Sequence, residues 1–268
     1  MTSIALAVAG SDSAGGAGIQ ADLKTFAALG VHGASALTAL TAQNTLGVDG
    51  VHVVPPDFVL AQMQAVARDL EIGAIKIGML ATSGVIEAVA EGLNDFPGIS
   101  VVLDPVMVAA SGDILLDKDA IATLKSLLLP RAVVITPNLP EAAQLLGTRE
   151  ASSEGEMRAQ AKALMALGAS AVLIKGGHAK GVTATDLLLD CEGELRLEVQ
   201  RVKTRHDHGT GCTLSSATAA ELAKGASLRE AVTTAKAYVT GAIAAADQLH
   251  IGKGRGPVHH FHKWWPRG

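Results

Sequence analysis

A glycine-rich tetrapeptide late in the chain, Gly209-Thr210-Gly211-Cys212, opens a predicted helix of small apolar residues. Glycine lets the backbone turn so that several N–H groups converge, and the positive end of the helix dipole adds to their field. The segment is therefore either a phosphate-binding site or a plain glycine-rich helix start. Cys212 lies in the first helical turn, where a lowered thiol pKa is expected, and a small packed side chain is the alternative.

Carboxylates, an amide and a lysine follow three predicted strands. Asp104 follows one strand, Asn138 and Glu141 begin a helix after the next, and Lys175 ends another. Asp104 and Glu141 could hold Mg²⁺ directly or through water, because Mg²⁺ keeps much of its hydration. Glu141 could equally serve only the helix dipole. Lys175 either pairs with a transferring phosphate or is an ordinary surface lysine.

Two further segments could bind a small ligand. The Ala9–Gly18 turn is rich in glycine but lacks the spacing of a dinucleotide fingerprint, and no G-x-x-x-x-G-K-[ST] motif occurs in the chain. Gln43 carries a donor and an acceptor on one planar amide, which suits an aminopyrimidine edge, although a loop glutamine often bonds its own backbone. Near the C-terminus, His259, His260 and His262 have no partners at ligand spacing, so we expect no metal there.

The elements that must position these residues alternate between short apolar strands and longer helices. Strands are predicted at Ile4–Ala9, Ala34–Leu40, Ala74–Met79, Ser100–Leu103, Ala132–Thr136 and Ser170–Lys175. Helices are predicted at Ala17–Leu29, Asp57–Leu70, Thr82–Asn94, Asp117–Leu129, Ser153–Leu167, from Leu139, and at about Gly211–Lys224 and Leu228–Gln248. Thr185–Cys191 and Leu195–Arg201 form a predicted antiparallel hairpin, with Cys191 packed in its strand.

This alternation predicts an α/β fold with a mostly parallel central sheet, helices on both faces and a small antiparallel hairpin. In such sheets ligands bind at the carboxyl ends of the strands, which is where the polar residues described above fall. We find no long linker and no internal repeat, so we expect one domain over residues 1–268.

The composition excludes several classes of function. Lys and Arg number 22 against 26 Asp and Glu, and 3% of residues are aromatic, so no nucleic-acid partner is expected. The longest stretch without a charged residue, Thr25–Val48, contains glycines and amides and is a poor membrane span. Two cysteines fit a reducing compartment, and the first residues do not resemble a signal peptide. We therefore expect a cytoplasmic protein without membrane partners.

Taken in order, these segments resemble the ribokinase-like superfamily and, within it, the bacterial hydroxymethylpyrimidine/phosphomethylpyrimidine kinases of thiamine biosynthesis. The resemblance covers almost the whole chain and is specific because it rests on many motifs in the right order. They are Ala9–Thr25, Thr41–Thr45, Lys76–Leu80, Asp104–Met107, Thr136–Ala142, Lys175–His178, His208–Cys212 and Gly256–His262. The resemblance implies ATP-dependent phosphorylation of 4-amino-5-hydroxymethyl-2-methylpyrimidine and then of its monophosphate, by a homodimer.

The resemblance also implies roles for individual residues. Gln43 would read the pyrimidine, in a pocket lined by Gly10, Asp22, Thr41, Met79 and Val106. Asp104 and Glu141 would belong to the Mg²⁺ site, Asn138 and Lys175 would contact the ATP phosphates, and the amides of Gly209, Thr210, Gly211 and Cys212 would form an anion hole. Cys212, where most sugar kinases of the superfamily have Asp, would be the catalytic base, assisted by Lys175 at the phosphates.

Two other functions stay open at this point. A pyridoxal-type kinase would bind a ring of similar shape, although Gln43 favours the pyrimidine. A pyrimidine sensor without catalysis would have no need of Asp104, Glu141, Lys175 and Cys212.

Asp207 departs from the family, which more usually has a small hydroxyl residue there. A carboxylate beside an anion hole repels phosphate, so we expect Asp207 to point to solvent or to pair with a cation such as Arg205. The resemblance also implies mobile segments over the substrate near Gly10–Gly18 and Ala109–Gly112.

Overall fold

The computed structural model describes residues 2–108, 112–113, 115–117, 119–178 and 181–265, and the side chain of His178 is not among the described parts. Of the expected mobile segment Ala109–Gly112, residues 109–111 lie outside the described residues.

In the described part of the chain, nine strands form one sheet. The strands are β1 (Ile4–Asp12), β2 (His32–Asn44), β3 (Gly47–Val53), β4 (Ala74–Ile77), β5 (Ser100–Leu103), β6 (Val134–Ile135), β7 (Val172–Ile174), β8 (Thr183–Asp190) and β9 (Gly193–Gln200). The helices are α1 (Gly18–Ala28), α2 (Pro56–Ala67), α3 (Ser83–Gly92), α4 (Ala120–Leu127), α5 (Leu139–Leu146), α6 (Glu154–Ala166), α7 (Thr210–Ala223) and α8 (Leu228–Ala244). Short 3₁₀ turns occupy Leu93–Asp95, Leu129–Arg131, Gly176–His178 and Ala246–Gln248.

The strand order across the sheet is β3-β2-β1-β4-β5-β6-β7-β8-β9. The six central strands from β2 to β7 are parallel, while β3, β8 and β9 add antiparallel pairs at the two edges. The predicted α/β architecture with its antiparallel hairpin is confirmed. Strand β3 was not predicted, because Gly47, Asp49 and Gly50 are poor strand formers and the strand is held by its pairing with β2.

Successive side chains of a strand point to opposite faces of the sheet, so each face packs against its own layer of helices. On β1, Leu6 and Val8 join one core with α2 to α6, whereas the alanines at 5, 7 and 9 join the other with α1, α7 and α8. The small side chains on the second face let α7 approach the sheet closely, and residues 213–220 of this helix are all buried. Helix α7 starts at the carboxyl edge of the sheet, which is the edge where ligands bind in folds of this kind.

One prediction about a cysteine is wrong. Cys191 was expected to be packed inside a strand, but it is exposed, because β8 ends at Asp190 and Cys191 lies in the turn to β9. No helix in the described part of the chain is long and apolar enough to cross a membrane.

Candidate active site

A cavity of about 550 Å³ lies at the carboxyl ends of β1, β4, β5, β6 and β7. The structure brings together in its wall every residue predicted for the site except Asp22: Gly10, Thr41, Gln43, Met79, Asp104, Val106, Asn138, Glu141, Lys175, Gly209, Thr210, Gly211 and Cys212. The cavity continues between β9 and α8, past Gln200, Val202, Thr240 and Ile243. These residues come from segments distant in sequence, so the parallel sheet is what collects them.

The charged end of the cavity centres on Lys175. This lysine follows β7, and its backbone N–H donates to Pro137 O at 2.9 Å, which joins it to the segment that enters α5. The Lys175 ammonium lies 2.7 Å from Asp104 Oδ1 and 3.8 Å from Glu141 Oε2. Thr136 Oγ1 donates a further hydrogen bond of 2.9 Å to Asp104 Oδ1. Two carboxyl groups and one ammonium group thus share one end of the cleft.

Burial makes the two carboxylates of this cluster different. At Asp104, burial opposes ionisation, but the nearby ammonium groups of Lys175 and Lys76 outweigh it and hold the pKa of the carboxyl below its ordinary value. At Glu141, burial together with the charge of Asp104 raises the pKa to about 7, against the opposing effect of Lys175. Ionising both carboxyl groups is therefore unfavourable in this buried pair, and a cation beside them would be bound favourably.

Glu141 serves the start of α5, and its role toward Mg²⁺ stays a prediction. Its Oε2 accepts from Asn138 N at 2.8 Å, and Asn138 Oδ1 accepts from Glu141 N at 2.8 Å, so the two residues form a capping box at the start of α5. The same carboxylate lines the cavity and faces Lys175.

The start of α7 forms the next part of the wall. Gly209 has φ +80°, and a Cβ there would lie 1.9 Å from Gly16 O, so only glycine allows the two glycine-rich segments to touch. A Cβ on Gly211 would lie 3.2 Å from the Lys175 ammonium. The N-terminus of α7 and Lys175 are therefore placed to act on the same anion.

The thiol of Cys212 does not have the expected acidity. Burial raises its pKa to about 11, and the charges of Asp22 and Asp104 act in the same direction. The Lys76 charge and a hydrogen bond from Gly18 N oppose this shift without overcoming it. The predicted lowering of the thiol pKa is thus wrong, although the residue lines the cavity at the start of α7 as predicted.

Asp22 does not line the pocket, which corrects the role that the resemblance implied. Its side chain is fully buried, both of its oxygens lie 2.8 Å from Lys76 Nζ, and Ser216 Oγ donates to it at 2.6 Å. Lys76 is the member of this pair that reaches the cavity wall. Sequence reasoning missed Lys76, although a lysine in the apolar strand β4 required a buried carboxylate as partner.

The opposite end of the cavity is mostly neutral. Gly10 lies against Met79, since a Cβ on this glycine would meet the Met79 sulfur at 2.8 Å. Gln43 and Thr41 stand at the end of β2, and Val106 follows β5. An uncharged, flat ring of modest size suits these walls, with Gln43 as a source of polar contacts.

Two further residues of this end were not singled out from the sequence. Asp12 accepts the backbone amides of Ala14, Gly16 and Ala17 at 2.8–3.0 Å, which closes the glycine-rich turn around one carboxylate. His208 Nε2 lies 2.9 Å from Asp12 Oδ2 and so ties this turn to the residue preceding Gly209. The signal available was the position of each residue beside a glycine-rich segment.

Asp207 is paired, as expected, but with a different partner. Its carboxylate receives two contacts from Arg255, including one from Nη2 to Oδ2 at 2.7 Å, rather than from Arg205. At the C-terminus, His260 is buried and its Nε2 lies 3.1 Å from Thr213 Oγ1. Among the described residues, no group of three or more His, Cys, Asp or Glu side chains is arranged to hold a metal ion.

A doubly wound sheet whose carboxyl edge carries a glycine-rich helix start, a lysine and two carboxylates is typical of a ribokinase-like small-molecule kinase. The chain belongs to the phosphomethylpyrimidine kinase family, whose model matches residues 12–259. This confirms the family that the sequence motifs suggested.

Curated relatives agree over nearly the full chain. The hydroxymethylpyrimidine/phosphomethylpyrimidine kinase of Rhizobium meliloti is 61% identical and covers 99% of both chains. The protein of the same name from Escherichia coli is 52% identical over 97% of this chain and 98% of its own length.

Solved structures show the same architecture. Bacillus subtilis pyridoxal kinase in an ADP complex is 39% identical, with a TM-score of 0.91 over 99% of this chain and 100% of the other. A phosphomethylpyrimidine kinase from Clostridium difficile is 40% identical, with a TM-score of 0.79 over 90% of this chain and 99% of the other.

Proposed function

We propose that this chain, acting as one kinase domain over residues 1–268, transfers the γ-phosphoryl group of ATP to the hydroxyl of 4-amino-5-hydroxymethyl-2-methylpyrimidine. It then phosphorylates the monophosphate to the diphosphate used for thiamine. The observation that carries the proposal is one cavity that holds Gln43 among neutral walls, Lys175 at a charged end, and Cys212. Relatives of up to 61% identity bear the name of this activity.

The charged end supports binding of the nucleotide phosphates. Residues 209–212 at the start of α7 line this end together with Lys175, and Asn138 lies on the adjoining strand end. Solved relatives include pyridoxal kinases in complexes with ADP and with AMP-PCP. In a loose phosphoryl-transfer transition state, such fixed donors stabilise charge on the transferring group and hold it in line with the acceptor.

The donor set also fits Mg²⁺. Asp104 and Glu141 are two carboxylates at one end of the cavity, and Mg²⁺ is commonly held by one or two carboxylates together with water and substrate phosphates. Burial and the charge of Asp104 raise the pKa of Glu141, so a cation beside the two carboxylates would favour their ionised forms. When bound, the metal would neutralise charge on the ATP phosphates. Asp104 and Glu141 would orient it, and Lys175 would keep Asp104 in place.

Cys212 is our assignment for the group that accepts the hydroxyl proton. Burial leaves the thiol mostly protonated, so the reactive form is the minor thiolate, which the buried Lys76 charge favours. A base of this strength suits a primary alcohol, whose proton leaves late in a loose transition state. Lys175 assists at the phosphates and does not itself remove the proton.

The experiment that tests the proposal measures ADP release with Mg²⁺ and ATP, and with three acceptors in parallel. The hydroxymethylpyrimidine and its monophosphate should both stimulate ADP release, and pyridoxal should stimulate it less because its ring lacks the aminopyrimidine edge. The Cys212→Ala protein is the control for contaminating kinases. Binding of the pyrimidine without turnover would contradict the proposal and favour a sensor, whereas a clear preference for pyridoxal would favour a pyridoxal kinase.

We also propose a cytoplasmic homodimer. Large apolar side chains are exposed on and beside the β2–β3 hairpin, among them Leu46 at 69% and Phe58 at 61%, and a second copy would cover them. Sedimentation equilibrium of the purified protein tests the assembly, and a monomer at assay concentrations would contradict it.

A further inference from the structure

The backbone on both sides of Lys175 is held by hydrogen bonds to other segments. Lys175 N donates to Pro137 O at 2.9 Å, just before the entry to α5. The next amide along the chain, Gly176 N, donates to Asp186 Oδ1, also at 2.9 Å. The two peptide groups that flank the Lys175 Cα are therefore fixed, and with them the direction in which its side chain leaves the backbone.

The carboxylate of Asp186 acts where the pairing of β7 with β8 stops. This antiparallel pairing ends at Ile174, which lies opposite Leu187, and the chain then turns into the 3₁₀ segment Gly176–His178. At the next position of β8, a side-chain oxygen of Asp186 accepts the amide that opens this turn. A buried backbone N–H needs an acceptor, so Asp186 completes the turn that follows Lys175.

The turn also packs directly on strand β8. A Cβ on Gly176 would lie 1.9 Å from Thr185 O, so only glycine allows the backbone to approach the strand this closely. Thr185 immediately precedes Asp186, and the two contacts therefore join the same turn to the same point of β8.

Lys236 of α8 holds the same carboxylate from the other side. Its ammonium lies 2.6 Å from Asp186 Oδ2, whereas Oδ1 receives the Gly176 amide. Both side chains of the ion pair are largely buried, with 11% of Lys236 and 4% of Asp186 exposed. Removing two charges from water is costly, and a buried ion pair is weak evidence for a gain in stability. Stability alone therefore does not account for this pair.

The ion pair belongs to the wall of the cavity. Lys175, Asp186 and Lys236 all line it. The ammonium of Lys175 is held by Asp104 and faces Glu141, so two sets of contacts act on this lysine, one at its ammonium and one at its backbone.

We propose that Asp186 and Lys236 are positioning residues for Lys175. Asp186 fixes the peptide group after Lys175, and Lys236 fixes the carboxylate of Asp186. The Lys175 ammonium then reaches the ATP phosphates from a defined origin, even when a phosphate draws it away from Asp104. A charge that is already placed binds its ligand more tightly, because less freedom is lost on binding. The inference rests on the proposed function in taking the ATP phosphates as the ligand of Lys175.

Two double variants separate the hydrogen bond from the charges. Asp186→Asn/Lys236→Met removes both charges but keeps an oxygen that can accept from Gly176 N. Asp186→Leu/Lys236→Met replaces the pair by apolar side chains, a change that buried ion pairs often tolerate, and removes this acceptor. Both variants lack the Lys236 ammonium, so the difference between them measures the contact of residue 186 with the turn.

Nucleotide affinity is measured as the Kd of a non-hydrolysable ATP analogue, by calorimetry, and as the KM for MgATP. The asparagine variant should stay within about threefold of the unaltered protein, and the leucine variant should bind the nucleotide about tenfold more weakly. The Kd of the pyrimidine should change less than about twofold in both. Equal weakening of nucleotide binding in the two variants would overturn the proposal and show that Lys236 contacts the nucleotide itself. Equal loss of pyrimidine and nucleotide binding would show general damage and would also overturn it.

A double-mutant cycle tests whether the pair acts through Lys175. In a Lys175→Met protein, the leucine double variant should weaken nucleotide binding by less than about twofold, because the group that the pair positions is already absent. A further tenfold loss in this background would contradict the proposal. Should Asp186→Leu/Lys236→Met fail to fold, Asp186→Ala/Lys236→Met removes the same acceptor without adding volume and decides by the same comparison.

The calorimetric measurements keep this inference separate from the proposed function. If the unaltered protein binds the ATP analogue but phosphorylates no pyrimidine, the proposed function is wrong, and the comparison of the two double variants still decides the inference. If the unaltered protein binds no nucleotide, both are wrong.

Discussion

The two ends of the cleft offer a ligand different physical interactions. At the charged end, the side chains of Asp104, Glu141 and Lys175 are largely buried. The two carboxylates share the ammonium of Lys175, so this end acts on a ligand through charge. At the mostly neutral end, where His208 and backbone amides contact the Asp12 carboxylate, Gln43 offers one side-chain amide. Charge gives strength with little discrimination between anions, whereas an oriented amide in a neutral pocket discriminates between rings. Changes at one end should therefore leave the binding at the other end largely intact, and the predictions below test this separation.

Cys212 lines the cavity at the start of α7 and should show the largest effect. In Cys212→Ala, kcat is expected to fall about 1,000-fold because the acceptor of the hydroxyl proton is lost. Kd values for the pyrimidine and for an ATP analogue should change little. Cys212→Asp keeps a base at the position and should retain more turnover than the alanine variant. Unchanged turnover in Cys212→Ser would remove the residue from the mechanism.

Glu141 gives the charged end a pH signature. Its pKa is about 7 in the folded protein against an ordinary value of 4.5, so the folded state binds the extra proton. Protonation of Glu141 therefore stabilises the folded state fully below about pH 4.5, the ordinary pKa that this carboxyl has in the unfolded chain. This contribution to the free energy of unfolding, about 3 kcal/mol in the absence of metal ions, is lost as the pH rises through about 7. Glu141→Gln should flatten the free energy of unfolding over this range, measured by urea titration. A slope that persists unchanged in this variant would contradict the assignment.

Lys175 separates nucleotide binding from ring binding. Lys175→Met should lower kcat/KM for MgATP about 10- to 100-fold, since a charge-assisted contact to phosphate is lost. The Kd of the pyrimidine without nucleotide should stay within about twofold. Lys162→Met, at an exposed lysine on α6, is the matched control and should leave both unchanged. An equal loss of pyrimidine affinity in Lys175→Met would break the separation of the two ends.

Asp207 should have the smallest effect. Its charge is taken up by Arg255 on a partly exposed surface, where an ion pair contributes little. Asp207→Thr is expected to change the KM for ATP by less than about threefold. A large decrease in that KM would show that the carboxylate faces the phosphates in solution and is not neutralised by Arg255.

Residue type was enough to predict most of the charged end. Asp104, Glu141 and Lys175 each stand where a predicted parallel strand ends or the next helix begins, and parallel strands bring such positions to one edge. The start of α7 does not follow a parallel strand, and only the family resemblance placed it beside them. Residue type could not predict that Lys76 and Asp22 neutralise each other under the cavity, because this pairing joins β4 to α1 across the sheet.

The neutral end was harder to predict because its order depends on contacts between segments far apart in sequence. Asp12 and His208 are 196 residues apart, and nothing local marks them as partners. Gln43 was found from its chemistry alone, but its contacts with Thr41 and His208 could not be predicted from it. The thiol pKa of Cys212 was predicted wrongly for a related reason. The helix start favours a thiolate, but burial next to Asp22 and Asp104 outweighs it.

The central claim is that one cleft holds the pyrimidine and the nucleotide phosphates at the same time, in line across Cys212. A compound that joins the pyrimidine methylene oxygen to adenosine through a polyphosphate chain tests it directly by calorimetric competition. The account predicts that this compound displaces both the pyrimidine and a non-hydrolysable ATP analogue, and binds at least about 100-fold more tightly than either, because one association replaces two. Displacement of only one of the two ligands, with no gain in affinity, would contradict it.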